Sequence, residues 1–278
     1  MVAIKNPEAP ATKKQLYKLQ EMTNGWQLNK GQASNLIQAL ELDDISRNKK
    51  FSIPVGDMPF EEAKVTIIEG EQRSGKTCTG VGKIVDVYYK DCVRIYYKEI
   101  HGADCTVKSY DWRNRIAKIK HNGVKVLKIP QSYELHSPMR IFSNIHLFGI
   151  PYIFCPSFRH ILAWLKSGFM SHGWLLMDEA QVGINARSSM SEIGKEMEIQ
   201  SFQYGKAMLN VIIITHMARL IDWTARTIPT ERLSCTYDKR TKMITYTRRK
   251  KGEPGTKEVS YYAPQYFPFY WTNERINA

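Results

Sequence analysis

The strongest chemical signal in this 278-residue chain is a run of eight residues with the spacing GxxxxGK[ST]. The run consists of Gly70, Glu71, Gln72, Arg73, Ser74, Gly75, Lys76 and Thr77. Glycines in this pattern let backbone N–H groups wrap a triphosphate, and the N-terminus of a following helix favours its negative charge. Lys76 can reach the β- and γ-phosphates, and the Thr77 hydroxyl can ligate Mg²⁺. We therefore predict that residues 70–77 and the adjacent Cys78 bind ATP, with Mg²⁺ as the metal ion.

A second signal is an acidic pair at the end of an apolar run, Trp174-Leu175-Leu176-Met177-Asp178-Glu179. The run predicts a buried strand whose C-terminal end meets the nucleotide. Asp178 would hold Mg²⁺ through water, and Glu179 would polarise an attacking water as general base. This pair favours hydrolysis over phosphate transfer to a substrate hydroxyl. The alternative is a strand that simply exits into acidic surface residues, which the upstream phosphate loop disfavours.

A third signal is the β-branched run Val211-Ile212-Ile213-Ile214, which predicts a strand buried on both faces and leads into Thr215 and His216. This polar pair could contact the γ-phosphate or the attacking water. His216 is therefore a candidate catalytic residue, and a histidine satisfied at a strand end is an equal alternative. Arg187 and Arg226 could reach a neighbouring subunit and stabilise transferring charge. For each arginine taken singly, an ordinary surface position is the alternative.

The elements that position these residues alternate between strand-like and helix-like segments over 65–232, which predicts an α/β fold with a mostly parallel sheet. Residues 1–45 are predicted to form a small helical hairpin, followed by a polar linker over 46–63 that contains proline and glycine. Residues 64–278 are the predicted ATPase domain.

Two β-rich additions to that domain are predicted. Residues 92–130 form an insertion, because the segments VRIYYKEI, CTVKSYDW and VKVLKI alternate as strands do. Residues 233–262 form a C-terminal β-hairpin, with a GEPG turn before its last strand.

The charge of the chain favours a polyanionic partner. Forty Lys and Arg stand against 27 Asp and Glu, a net charge of +13, which indicates nucleic acid or an anionic membrane surface. The candidate nucleic-acid contacts form one cluster in the predicted hairpin: Lys239, Arg240, Lys242, Arg248, Arg249, Lys250 and Lys251. A second basic region, 94–128, also contains tyrosines and Trp112. For either region a solvated sheet face is the alternative, and strand-period tyrosine is more often sheet packing than a stacking platform for single strands.

The five cysteines include no CxxC pair and favour reduced thiols in a cytosol. Four residues could imitate a zinc site, but their irregular spacing disfavours one: Cys92, His101, Cys105 and His121. No apolar stretch of 18 residues and no charged-then-apolar leader is present, so we expect no membrane segment of its own.

Three segments, GEQRSGKT, LLMDEAQ and VIIITHMARLIDWTAR, resemble in this order the FtsK–HerA superfamily of additional-strand P-loop ATPases. The resemblance is to the Zot-like and viral genome-packaging branch and covers about residues 64–275. The segment SNIHL at 143–147 and the closing YFPFYWTNE at 266–274 are similar to that branch as well. One departure is His216, because members usually carry glutamine after the threonine, which puts the sensor role in doubt.

The resemblance implies a ring-forming motor, commonly a hexamer, that threads double-stranded DNA by ATP hydrolysis. A viral genome-packaging ATPase would have the capsid or portal vertex as partner and would act in the cytoplasm of the host cell, or in association with the virion. One alternative is a Zot-like ATPase for filamentous-phage extrusion or plasmid DNA transfer. Another is a non-hydrolysing scaffold that binds nucleic acid and uses ATP as a structural ligand.

Overall fold

The computed structural model describes residues 23–24, 63–180, 204, 207–216 and 229–270, and the fold is given for these. Twelve strands and two α-helices are described. The strands are β1 Thr23–Asn24, β2 Val65–Glu69, β3 Thr106–Asp111, β4 Ile116–Lys120, β5 Val124–Lys128, β6 Arg140–Ser143, β7 Tyr152–Phe154, β8 Gly173–Met177, β9 Leu209–Ile214, β10 Glu231–Asp238, β11 Met243–Lys250 and β12 Lys257–Tyr262. The helices are α1 Lys76–His101 and α2 Phe158–Lys166.

Nine of these strands form one sheet in the order β1-β7-β6-β8-β9-β2-β10-β11-β12. Five of its eight neighbouring pairs are parallel, from β7 through to β10. The other three pairs, at the two edges, are antiparallel. The prediction of a mostly parallel α/β sheet is confirmed.

The central strands are buried on both faces, as their unbroken apolar sequences predict. Every residue of β6 and β9 is buried. Helix α2 packs an apolar face into the same core, because Ile161, Leu162 and Leu165 recur at helical spacing and are all buried. Because the parallel strands run in the same direction, their carboxyl ends meet at one edge of the sheet, where polar side chains can converge.

The chain divides into two compact units, and Gly82–Met139 form the second. Helix α1 continues into this unit, so the predicted strand VRIYYKEI at 93–100 is wrong. Its buried residues Val93, Tyr96 and Tyr97 follow Cys92 at the i, i+1, i+4, i+5 spacing of a helix face. They pack with Ala117 and other apolar residues of the unit.

The rest of that unit contains three strands, in the segment where the sequence predicts a β-rich insertion. Strands β3, β4 and β5 form a separate three-stranded antiparallel sheet. In β4 the buried Ala117 and Ile119 alternate with exposed residues, which is the pattern of a sheet with one covered face.

The C-terminal segment forms three antiparallel strands, β10–β12, which we call the C-terminal meander. The predicted hairpin with its GEPG turn is confirmed as β11 and β12, and β10 is an additional strand. The additional turn lies at residues 239–242. The Asp238 side chain accepts hydrogen bonds there from the Arg240 N–H at 2.9 Å and the Thr241 hydroxyl at 2.7 Å. A short polar side chain makes this turn without the Gly/Pro signal on which the sequence prediction depended.

The predicted helical hairpin and linker lie outside the described residues, apart from residues 23, 24 and 63. Thr23 and Asn24 form β1, which pairs with Ile153 and Tyr152 of β7, where the sequence predicts the end of a helix and the start of a turn. Pairing with the edge of β7 satisfies backbone groups of both segments. No described helix is both long and apolar enough to cross a membrane.

Candidate active site

The predicted phosphate loop lies between the end of β2 and the start of α1. Two of its glycines are required by close neighbours in the C-terminal meander. A Cβ at Gly75, whose φ is +86°, would lie 2.5 Å from Cδ1 of Ile244. A Cβ at Gly70 would lie 2.6 Å from the carbonyl oxygen of Cys235. The backbone can therefore follow this path only without side chains at these two positions.

Lys76 and Ser74 give the loop the chemistry of an anion site. Lys76 is 7% exposed, and its ammonium group donates to the carbonyl oxygen of Glu71 across the loop. The buried Ser74 Oγ has no hydrogen-bond partner among the described residues. A buried cation and an unpaired buried hydroxyl at a helix N-terminus fit a triphosphate, which would supply acceptors for both.

The acidic pair meets the loop through a direct contact. Thr77 Oγ1 donates to Asp178 Oδ2 at 2.7 Å, and Asp178 is 3% exposed. Asp178 Oδ1 accepts the N–H of Glu179 at 2.7 Å. A hydroxyl and a carboxylate in contact are the oxygen ligands that Mg²⁺ takes beside a nucleotide, so these residues fit the ion.

Glu179 lies beside this contact in an unusual backbone conformation. Its φ is +52°, in the left-handed region that a glutamate rarely adopts. Its side chain is exposed and lines the same pocket as the loop. Strained residues of this kind concentrate at functional sites.

Strand β9 brings Thr215 and His216 to the loop. The Thr215 N–H donates to the Ile68 carbonyl at 3.0 Å, and the Gly70 N–H donates to the His216 carbonyl at 3.4 Å. Both residues line the pocket. The order of the sheet also places β9 between β2, which carries the loop, and β8, which ends at the acidic pair. Strand β9 is therefore an additional strand, inserted between the strand that precedes the phosphate loop and the strand that ends at the acidic pair. The chain has a P-loop NTPase fold.

Three solved structures are similar to this chain at low identity, and no protein-family model or curated protein matches the chain. The N-terminal domain of zonular occludens toxin from Neisseria meningitidis has 17% identity and a TM-score of 0.49, covering 76% of this chain and 100% of that one. The genome packaging NTPase B204 from Sulfolobus turreted icosahedral virus 2, in complex with ATP-gammaS, has 9% identity and a TM-score of 0.38, covering 70% and 96%. The KaiC-like protein PH0186 from Pyrococcus horikoshii OT3 has 12% identity and a TM-score of 0.33, covering 77% and 92%.

The pocket has a volume of about 490 Å³ and two chemically different halves. One half contains the loop, the acidic pair and the end of β9. The other is formed by the meander and the short 3₁₀ turns that follow it, and its lining residues are mainly apolar and aromatic: Tyr237, Ile244, Ala263, Phe267 and Tyr270. Sequence reasoning missed this half, although it noted the segment 266–274 that supplies two of the rings.

Cys78 links the two halves. It lines the pocket, and its Sγ donates to the Ala263 carbonyl at 3.6 Å. Burial raises the pKa of the Cys78 thiol to about 11, so the side chain is neutral at physiological pH.

The predicted cluster of seven basic residues is divided by the meander. The turn 239–242 lies at the loop end of β10, and Lys239 lines the pocket. Residues 248–251 lie at the opposite end of the paired strands, about 23 Å away for eight residues of strand. There Arg248 pairs with Glu231, and Lys250 pairs with Glu253.

The remaining predicted site residues fall elsewhere. Arg187 and Arg226 lie outside the described residues. In the second basic region, Lys118 and Lys120 are exposed, whereas Tyr96 and Tyr97 are buried and present no stacking platform. Among the residues that the structure describes, no group of three or more His, Cys, Asp or Glu could hold a metal ion.

Proposed function

We propose that this chain is an ATPase of the FtsK–HerA superfamily that moves double-stranded DNA and packages a viral genome. The observation that carries the proposal is the hydrogen bond between Thr77 and Asp178 inside the pocket that also contains Lys76 and Glu179. This contact joins the loop that would hold the phosphates to the strand that would direct water at them.

The phosphates would be held by the backbone N–H groups of residues 70–77 and by the Lys76 ammonium. Its present acceptor, the Glu71 carbonyl, is a neutral oxygen that a phosphate oxygen can replace with a charge-assisted bond. The Ser74 hydroxyl is available as a further donor.

Hydrolysis requires a base beside the γ-phosphate, and Glu179 is an exposed carboxylate that lines the pocket. It would take a proton from the attacking water, while the His216 side chain would contact the γ-phosphate. Thr77 and Asp178 would hold Mg²⁺, which neutralises negative charge on the phosphates during transfer. Arg226 or Arg187 would be contributed by a neighbouring subunit of the ring, most simply a hexamer.

The apolar half of the pocket would accept the adenine ring. Phe267 is 38% exposed and lies edge-on to Tyr270, with ring centroids 6.5 Å apart. One exposed and one half-buried aromatic ring beside an anion site suit a ligand with a charged end and a flat apolar end.

DNA would be held through its phosphates at the two ends of the meander. The exposed side chains of Lys239, Arg240, Lys242, Arg249 and Lys251 have no ion pair among the described residues. Arg249 and Lys251 line a second pocket with Arg232. Arg248 and Lys250 already have carboxylate partners and would contribute less. Contacts of this kind are independent of sequence, as a translocating motor requires.

Such a motor would act at the capsid or portal vertex, in the host-cell cytoplasm or in association with the virion. The decisive experiment is steady-state ATP hydrolysis with and without duplex DNA, for the wild-type chain and for Glu179→Gln. The variant should bind ATP as the wild type does and lose at least about 100-fold in turnover. Glu134→Gln is the control, because Glu134 is an exposed carboxylate that neither belongs to the loop nor lines the pocket.

Three results would contradict the proposal in different ways. If Glu179→Gln hydrolyses ATP at the wild-type rate, Glu179 is not the general base. ATP binding without hydrolysis in the wild type, with or without DNA, would favour a nucleotide-binding scaffold. If duplex DNA does not change the rate of ATP hydrolysis and the chain stays monomeric with nucleotide bound, the assignment as a DNA-moving motor is wrong.

A further inference from the structure

Asn144, which follows strand β6, holds the backbone of Asp178 through both of its polar groups. Its Oδ1 accepts a hydrogen bond from the Asp178 N–H at 2.8 Å, and its Nδ2 donates to the Asp178 carbonyl at 2.9 Å. The Asn144 N–H itself donates to the Leu176 carbonyl at 3.3 Å. One amide side chain therefore fixes the backbone at the end of β8.

These bonds extend the pairing of β6 with β8 beyond its last backbone pair, Ser143 with Leu176. Asp178 is buried, so its N–H and its carbonyl need partners within the protein. An amide side chain carries a donor and an acceptor together, whereas a carboxylate is an acceptor alone. Asparagine is therefore suited to this position in a way that aspartate is not.

The residue that follows shows why this matters. Glu179 has a left-handed backbone, which persists only where surrounding groups determine it. The carbonyl that Asn144 binds belongs to the peptide joining Asp178 to Glu179. The N–H of the same peptide is held by the Asp178 carboxylate. Both polar groups of that peptide are thus fixed.

We propose that Asn144 is a positioning residue for hydrolysis, an inference that rests on the proposed ATPase function. By fixing this peptide, Asn144 sets the direction in which the Glu179 carboxylate enters the pocket. A general base must lie within hydrogen-bonding reach of the water, and a shift of about 1 Å is enough to slow a reaction about 100-fold. Phosphate binding by the loop does not depend on this peptide.

The test compares Asn144→Ala and Asn144→Asp with the wild type. We expect kcat to fall about 10- to 100-fold in both, as is typical when a supporting bond behind a metal-site residue is removed. The Kd for a non-hydrolysable ATP analogue should stay within about threefold, because Lys76 and the loop are unchanged. Asn144→Asp keeps the acceptor for the Asp178 N–H and is nearly isosteric, so it reports on the site if the alanine variant folds poorly.

Asn210→Ala is the matched control. The Asn210 Oδ1 accepts the Lys64 N–H at 2.9 Å before β2 begins, at the opposite end of the sheet from the pocket. It should lower the unfolding temperature as Asn144→Ala does, and leave kcat unchanged. A wild-type kcat in either folded Asn144 variant, or an equal loss in Asn210→Ala, would overturn the inference alone. A wild-type chain that binds ATP without turnover would overturn the proposed function, and this inference with it.

Discussion

The hydroxyl of Thr77 and the carboxylate of Asp178 are 2.7 Å apart although 101 positions separate them in the chain. Thr77 lies in the first turn of α1, which follows β2, and Asp178 directly follows β8; β9 lies between β2 and β8 in the sheet. Their contact places the phosphate loop and the acidic end of β8 next to each other.

Removing the Thr77 hydroxyl should weaken both the fold and Mg²⁺-dependent binding. Thr77→Val keeps the shape and leaves the buried Asp178 with one donor fewer, so we expect a loss of about 1 to 3 kcal/mol in the free energy of unfolding. ATP affinity should fall about 10- to 100-fold with Mg²⁺ and much less in EDTA. Titrations under both conditions measure this, with Thr77→Ser as the conservative control. Equal affinities for Thr77→Val and the wild type in Mg²⁺ would contradict the assignment.

Phe267→Ala should weaken nucleotide binding because it removes a contact with the adenine ring and leaves the contacts with the phosphates unchanged. Loss of a stacking ring costs about 1 to 2 kcal/mol, which corresponds to about a 5- to 30-fold rise in the Kd for ATP. Inorganic triphosphate, which has no base, should bind the variant as it binds the wild type. Tyr262→Ala is the control, because Tyr262 is 45% exposed and does not line the pocket. A similar weakening for triphosphate would place the effect of Phe267 on the loop instead of the base.

Replacing Arg249 and Lys251 together with alanine should flatten the salt dependence of DNA binding. Each phosphate contact contributes about −0.9 to the slope of log K against log salt, so the double variant should reduce its magnitude by about 2. Arg248→Ala is the internal comparison, since Glu231 already neutralises this guanidinium, and its slope should change by less than about half a unit. Fluorescence anisotropy with duplexes of two unrelated sequences measures both. If the slope of log K against log salt is the same in the double variant and the wild type, this end of the meander does not bind DNA.

The buried thiols should make the fold sensitive to alkali. Burial raises the pKa of Cys92 to about 12, above the value of 9.0 for an exposed thiol, so the folded state retains a proton that the unfolded chain loses. The stabilisation is complete below pH 9 and is lost as the pH rises through 12, at about 1.4 kcal/mol per pH unit for one such thiol.

Urea unfolding of the wild type and of Cys92→Ala between pH 8 and 10.5 measures this effect. The difference in the free energy of unfolding between the two proteins should be constant up to about pH 9 and then shrink. All five cysteines are buried, so a thiol reagent at pH 8 should label them slowly before denaturant is added. A pH-independent difference, or rapid labelling of the folded protein, would contradict the protonated, buried state of these side chains.

The parts of the site that follow from local sequence were predictable. Gly75, Lys76 and Thr77 complete a GxxxxGK[ST] motif between a predicted strand and a predicted helix, and the apolar run before Asp178 predicts a buried strand. The ends of parallel strands meet at one edge, so the convergence of these residues followed from the α/β pattern.

The parts of the fold and of the site that depend on tertiary packing could not be predicted from the sequence. The run VRIYYKEI is rich in β-branched and aromatic residues, yet it is helical because Val93, Tyr96 and Tyr97 pack together with Ala117 and Ile119. Proximity in sequence also misled: Lys242 and Arg248 are six positions apart, but an extended strand carries them toward opposite ends of the meander. The role of Asn144 depends on a contact across 34 positions, which no local pattern contains.

The phosphate loop depends on residues made much later. Its glycines lie against Cys235 and Ile244, and Cys78 bonds to Ala263. On the ribosome, the loop sequence therefore emerges more than a hundred residues before the strands that shape it. A nascent chain at that stage contains the motif but lacks the strands against which the loop packs. It should therefore neither bind nor hydrolyse nucleotide until the last of these strands has been translated.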